Sequence, residues 1–134
     1  MNVTTGQIHG AMKRLRESVH FTVIGQCYSL KNSKMARRNG FPIKHPKVRK
    51  FQQDFIFQVP AKYRDLKLGS AAEPLRTVVV VFYPSWRQDL SCEAVYDCLQ
   101  AAGVVANDRF IREKHEFAEV DPKNPRVEII VEAI

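Results

Sequence analysis

LRTVVVVFYPSWRQDLSCEAVYDCLQAAG, residues 75–103, carries two hydrophobic periods in one run. Residues 75–84 are dense in β-branched side chains and read as a central strand. SWRQ, 85–88, reads as a short turn. From Asp89 the period changes: Leu90, Ala94, Val95, Cys98, Leu99 and Ala102 recur at helical spacing. Residues 89–103 therefore read as a helix with one buried face that stops at Gly103. Beyond it VVANDRF turns the chain into a strand from about Phe110 to Val120. Asp121-Pro-Lys-Asn-Pro reads as a hairpin turn, and RVEIIVEAI, 126–134, as the closing strand.

Toward the N-terminus, AKYRDLKLGSAAEP reads as a surface connection. A helix is expected from near Pro46 through KVRKFQQDFIFQV, its aromatics leaving a strand reading open at the C-terminal end. Residues 27–46, CYSLKNSKMARRNGFPIKHP, lose all period and contain Asn-Gly and two prolines, so they read as a long loop. VHFTVIGQ, 19–26, alternates as a strand does. Residues 1–18 form an N-terminal extension in which 4–18 read as a short helix, weakened by Gly6 and Gly10. The expected fold is α/β of the α+β type, a small mixed β-sheet with helices packed on it. Its order is strand, basic loop, helix, strand, helix, strand, strand, with residues 19–134 as one domain.

At 134 residues the chain is long enough to bury a core without staples. Its longest apolar run, Thr77 to Tyr83, is far shorter than the roughly 20 residues of a membrane helix. The N-terminus lacks the basic-then-apolar pattern of an export signal. Three cysteines without paired metal spacing point to reduced thiols in a cytoplasm. Charge is divided unevenly. Residues 1–65 hold 13 Lys/Arg against 3 acids, whereas residues 66–134 hold 8 against 11. One half attracts polyanions and the other holds most of the carboxylates.

Eight basic residues fall between positions 31 and 50 with no acid among them: Lys31, Lys34, Arg37, Arg38, Lys44, Lys47, Arg49 and Lys50. Asn32, Ser33 and Asn39 add neutral donors suited to phosphate oxygens. A charge run is often only a solvated face, but eight uncompensated positives repel one another unless a polyanion lies between them. This segment is read as the nucleic-acid contact.

Among the acids, Asp89 follows a buried strand and a short turn, where ligand sites of α/β proteins gather. On a helix Glu93 lies about 6 Å further along the axis, so the two can share one ion. Asp108 sits in the turn after the same helix. Hard oxygen ligands of this kind suit Mg²⁺, with Mn²⁺ able to substitute. Each has a plainer reading as well: Asp89 as a helix cap, Glu93 and Asp97 as helix surface, Asp108 as a turn residue. The four histidines show no zinc spacing, and His115 reads as strand surface. No Gly-rich phosphate loop is present, which argues against a nucleotide cofactor. Tyr28, Phe41, Phe51 and Trp86 are the aromatics that can stack on bases, with core packing the default for the phenylalanines.

Residues 76–134 resemble the RusA-like family of Holliday-junction resolvases. The likeness lies in a hydrophobic strand, Asp89-Leu90, Asp97-Cys98-Leu99-Gln100-Ala101-Ala102-Gly103, Val104-Val105, Asn107-Asp108, and a final Arg-Val-Glu-Ile strand. Ser29-Leu30-Lys31-Asn32-Ser33 after the first strand fits more loosely. The resemblance implies a homodimer that cuts four-way DNA junctions with magnesium in phage or prophage recombination and repair, in the bacterial cytoplasm. It also implies an Asp-x-Asp pair at the helix start, a lysine within that helix and a later aspartate. Asp89 matches one member of the pair and Asp108 the later aspartate. Ser91 stands in the second position of the pair, and Glu93 or Val95 in that of the lysine. Asp89, Asp108 and Glu93 are thus the candidate metal ligands and, with Ser91, the candidate catalytic residues. The alternative is a non-catalytic branched-DNA or RNA-binding protein on the same fold.

Overall fold

The computed structural model describes residues 18–29, 34–38, 41–44 and 46–134, the two short segments by backbone alone. The helix expected over 4–18 lies, but for Ser18, outside them. The described elements are β1 (Val19–Ile24), β2 (Lys34–Arg38), β3 (Phe41–Lys44), α1 (Pro46–Gln58), β4 (Leu75–Tyr83), α2 (Glu93–Ala101), β5 (Ile111–Val120) and β6 (Arg126–Ala133), with short 3-10 turns at Ala61–Tyr63 and Asp108–Phe110. Four strands form one mixed sheet in the order β1-β6-β4-β5. The pairs β1·β6 and β6·β4 are antiparallel, and β4·β5 is parallel. This is the α+β architecture expected from the sequence.

Alternation decides which face is core. Leu75, Thr77, Val79, Val81 and Tyr83 of β4, with Val127, Ile129 and Val131 of β6 and Val19, Phe21 and Val23 of β1, point to one side and are buried. The helices cover that side. In α1, Val48, Phe51 and Phe55 recur at spacings of three and four, and Phe55 meets Phe21 edge-on at 6.0 Å between ring centroids. The end of α1 is tied to the sheet by the Gln58 amide, which accepts from the Ile24 N–H at 2.8 Å and donates to its carbonyl at 2.9 Å. The reading of α1 as a strand at its C-terminal end is excluded.

Three further expectations are corrected. The basic segment is not all loop: β2 and β3 pair antiparallel, Lys34 opposite Lys44. Asn39-Gly40, between them in sequence, is a pair that favours tight hairpins. Residues 121–125 are not a hairpin turn, because β4 lies between β5 and β6. They cross the end of β4 instead, where the Asp121 N–H donates to the Tyr83 carbonyl at 2.8 Å. Turn residues specify a change of direction, not which strand becomes the neighbour. Finally, α2 starts at Glu93 rather than Asp89, and Leu90 is 40% exposed instead of joining the buried face.

The connection from α1 to β4 runs under the C-terminus of α2. Lys67 and Leu68 donate their N–H groups to the carbonyls of Gly103 and Val104 at 2.7 and 3.0 Å. Gly103 has φ +74°, and a Cβ there would lie 2.6 Å from Asp65 Oδ1. Only glycine fits both demands.

Candidate functional site

The late start of α2 has an identifiable cause. Tyr83, the last residue of β4, is 3% exposed, and its hydroxyl donates to the Asp89 carbonyl at 3.1 Å and accepts the Ser91 N–H at 3.2 Å. One hydroxyl thus holds residues 89–91 away from helical geometry, and Cys92 becomes the N-cap without a side-chain cap bond. Upstream, Ser85 donates to Gln88 Oε1 at 3.0 Å, and its oxygen accepts the Arg87 N–H at 3.3 Å. Cys27 Sγ, just past β1, reaches the Ser91 carbonyl at 3.7 Å. The loop is therefore pinned from both sides over the C-terminal end of β4.

Beside it opens a cleft of about 950 Å³. Its walls are the 26–29 segment, the start of α1, the 87–93 loop and one side of β5. Asp89, Glu93 and Glu116 bring carboxylates to it, and Lys47, Arg87 and Lys114 bring cations. Lys114 Nζ lies 4.3 Å from the centroid of the Tyr96 ring, and the Tyr96 hydroxyl lies 3.3 Å from Thr77 Oγ1 in the core. A buried hydrogen bond thus fixes the ring on which the ammonium rests. Lys47, with Arg49 and Lys50, lies on the exposed side of α1, where Lys50 pairs with Asp54 at 3.0 Å.

Burial sets the protonation of the neutral groups. It pushes the Cys27 thiol up to about 12 and the Tyr83 hydroxyl also up to about 12, in the latter against the opposing pull of the Ser91 N–H. The Cys92 thiol is likewise raised, by burial first and the nearby Glu116 next, and burial raises Tyr96. Both thiols are protonated at neutral pH, so neither is a thiolate nucleophile. Both tyrosines keep their O–H protons.

Of the residues singled out in the sequence, Asp89, Ser91 and Glu93 come together in the cleft. Asp89 and Glu93 do so from a loop and the first turn of α2, not as neighbours on one helix. Asp108 does not line the cleft. It begins the 3-10 turn past the other end of α2, where its N–H donates to Gln100 Oε1 at 3.0 Å. The crossover is the reason: β5 runs parallel to β4, so α2 must return the chain to the start of β4, where Ile111 pairs with Leu75. From Glu93 to Gln100 the helix rises about 10 Å. Asp108 thus stands at the opposite end of α2 from Asp89 and Glu93. Exposed Asp97 lies along α2 beside a separate shallow depression.

Lys31 and Asn32 lie outside the described residues; Lys34, Arg37, Arg38 and Lys44 belong to the β2–β3 ladder. Arg87, in the loop, and Lys114 and Glu116, on β5, are the charged cleft residues that the sequence reading missed. The alternation of the latter two along β5 was visible, but only the parallel pairing with β4 turns that side of the strand toward the loop after Tyr83.

Among the described residues no group of three or more His, Cys, Asp or Glu side chains is arranged to hold a metal by itself. Magnesium is commonly held by one or two carboxylates together with substrate phosphate and water. Asp89 and Glu93 fit that incomplete kind of site. No described helix is long and apolar enough to cross a membrane. Comparison with protein-family models and with curated proteins finds no match.

Proposed function

We propose that this chain is a Mg²⁺-dependent, structure-selective endodeoxyribonuclease of RusA-like type. Its substrate is four-way DNA in phage or prophage recombination and repair, in the cytoplasm of the bacterial host. The observation that carries the reading is the cleft beyond the C-terminal end of β4, where Asp89 and Glu93 face Lys47, Arg87 and Lys114 beside the basic side of α1. Carboxylates alone repel a phosphodiester, and cations alone only bind it; a nuclease needs both within one cleft.

The basic residues from Lys31 to Lys50 hold the arms of the junction through their phosphates. Lys114, rested on Tyr96, and Arg87 draw the scissile phosphate into the cleft. Asp89 and Glu93 are the residues that would hold magnesium against that phosphate, and Ser91, whose N–H is fixed by Tyr83, orients the loop between them. The ion, with Mn²⁺ as a substitute, supplies Lewis acidity and a water of lowered pKa. A symmetric junction requires two cuts, which a two-fold homodimer provides.

The test is incubation of the protein with a labelled synthetic four-way junction, with and without Mg²⁺ or Mn²⁺, alongside Asp89→Asn and Glu93→Gln. Paired, metal-dependent nicks that vanish in both variants while junction binding persists are the expected result. Tight binding without cutting under either metal sinks the nuclease reading. A second reading, a non-catalytic binding protein on this fold, is favoured by one observation: Asp108 is separated from Asp89 by the length of α2. It predicts that the parent binds without cutting and that Asp89→Asn changes nothing. Competition between branched DNA and structured RNA at fixed salt then identifies the nucleic acid.

A further inference from the structure

Trp86 has no part in the core. It is 86% exposed, in a chain that holds one tryptophan. Tryptophan is among the most buried residues on average, and leaving its ring in water has a cost that a turn between a strand and a helix does not require. Its position is nonetheless well defined by its neighbours. The hydrogen bonds of Ser85 to Gln88 and to the Arg87 N–H close the turn around it. The residues that follow at once, Arg87, Gln88 and Asp89, line the cleft.

The surroundings say what kind of surface this ring fits. Ser85, Arg87, Gln88 and Asp89, the turn residues around Trp86, are polar, so the turn itself offers no extended apolar patch of the kind that docks a protein or a second copy. A single aromatic face in polar surroundings with a cation beside it is the arrangement that receives a nucleobase: the ring takes the base, and the adjacent Arg87 takes its phosphate.

Resting on the nucleic-acid reading above, we infer that Trp86 stacks on an unstacked base at the branch point of the DNA and thereby makes binding selective for branched over continuous duplex. In duplex DNA each base is already stacked on both faces, so the ring gains nothing there. At an open branch it replaces a lost stacking partner, and Arg87 holds the following phosphate at the mouth of the cleft.

The single tryptophan makes this directly measurable in metal-free buffer, where no cutting competes. An unlabelled four-way junction is titrated against Trp86 emission, while a dye-labelled junction reports binding by anisotropy; a duplex of the same sequence is run in parallel. The expected result is quenching that saturates with junction binding and is absent with bound duplex. Trp86→Ala weakens junction affinity about 5- to 150-fold, the range of one lost base stack. Trp86→Phe recovers most of it, and duplex affinity changes less than about twofold. Saturated junction binding with unchanged emission and unchanged Trp86→Ala affinity overturns the inference while the nucleic-acid reading stands. Equal weakening on junction and duplex overturns the selectivity. Failure of the parent to bind any of the DNAs overturns both. Absence of cleavage in the presence of metal bears on neither quenching nor affinity, so the nuclease reading fails separately.

Discussion

Replacing Tyr83 by phenylalanine removes one oxygen atom and tests how the cleft is held. The ring, 3% exposed, keeps its packing in the core. What is lost is the hydroxyl that donates to the Asp89 carbonyl and accepts the Ser91 N–H. Two part-buried backbone groups then lack their partner, at a cost of up to about 1–3 kcal/mol. For a chain of 134 residues that is a fall in Tm of about 4–11 °C. Because burial raises the hydroxyl to about 12, both bonds persist throughout the neutral range and the effect is the same from pH 6 to about 9. The loop that carries Asp89 is then free to drift, and a displacement of about 1 Å in a positioning group costs up to about 100-fold in rate. Cleavage under single-turnover conditions is therefore expected to fall about 10- to 100-fold, with junction affinity changed less than about twofold, since the arms are held elsewhere. Ile129→Val is the control: it removes one methylene from the fully buried sheet core and lowers Tm by about 2–5 °C without touching the loop or the cleft. The reasoning is wrong if Tyr83→Phe loses stability as calculated but cuts as fast as the parent, or if both variants slow cutting equally.

Gly103→Ala forces a positive-φ backbone on a residue with a Cβ and drives that atom against the Asp65 backbone, 2.9 Å from its Cα. A loss of about 2–4 kcal/mol follows, read as a Tm about 7–14 °C lower; a change under about 3 °C would show that the 65–68 connection yields freely. Lys47→Gln combined with Arg49→Gln is expected to reduce the slope of log affinity against log salt by about 2, as two phosphate contacts are lost, with an unchanged slope excluding the exposed side of α1 from the interface. Asp121 is held below the usual carboxylate range, by its bond to Arg126 first and by the N–H groups of Asn124 and Lys123. A depressed folded pKa stabilises above the unfolded value of about 3.9 and is lost as pH falls through the lower folded one. The Tm gap between the parent and Asp121→Asn should accordingly be full at pH 6 and close on titration toward pH 2; a gap independent of pH would assign the effect to the turn's hydrogen bonds alone.

The features legible in the sequence were those that local physics decides. The valine-rich stretch of β4, the alternation of β1 and β6 and the three-and-four spacing of Val48, Phe51 and Phe55 each match the element formed, because burial on one face imposes a period whatever the rest of the chain does. The features missed depend on a partner distant in sequence. Asp89 is a good capping residue, but its carbonyl is taken by the hydroxyl of Tyr83 and α2 starts at Glu93 instead. DPKNP reverses the chain, but that β4 fills the gap between β5 and β6 is a property of the sheet. The same distinction governs the site. Asp89, Ser91 and Glu93 are close in sequence and meet in the cleft; Lys114 and Glu116 join them through the parallel pairing of β5 with β4. Asp108 resembles a member of the same set by its spacing from the helix, yet a crossover between parallel strands must carry the chain the full length of β4 before the next strand begins. Spacing along a crossover helix therefore measures separation between its two ends, and a carboxylate beyond the far end of α2 is removed from the cleft by the topology that builds the cleft.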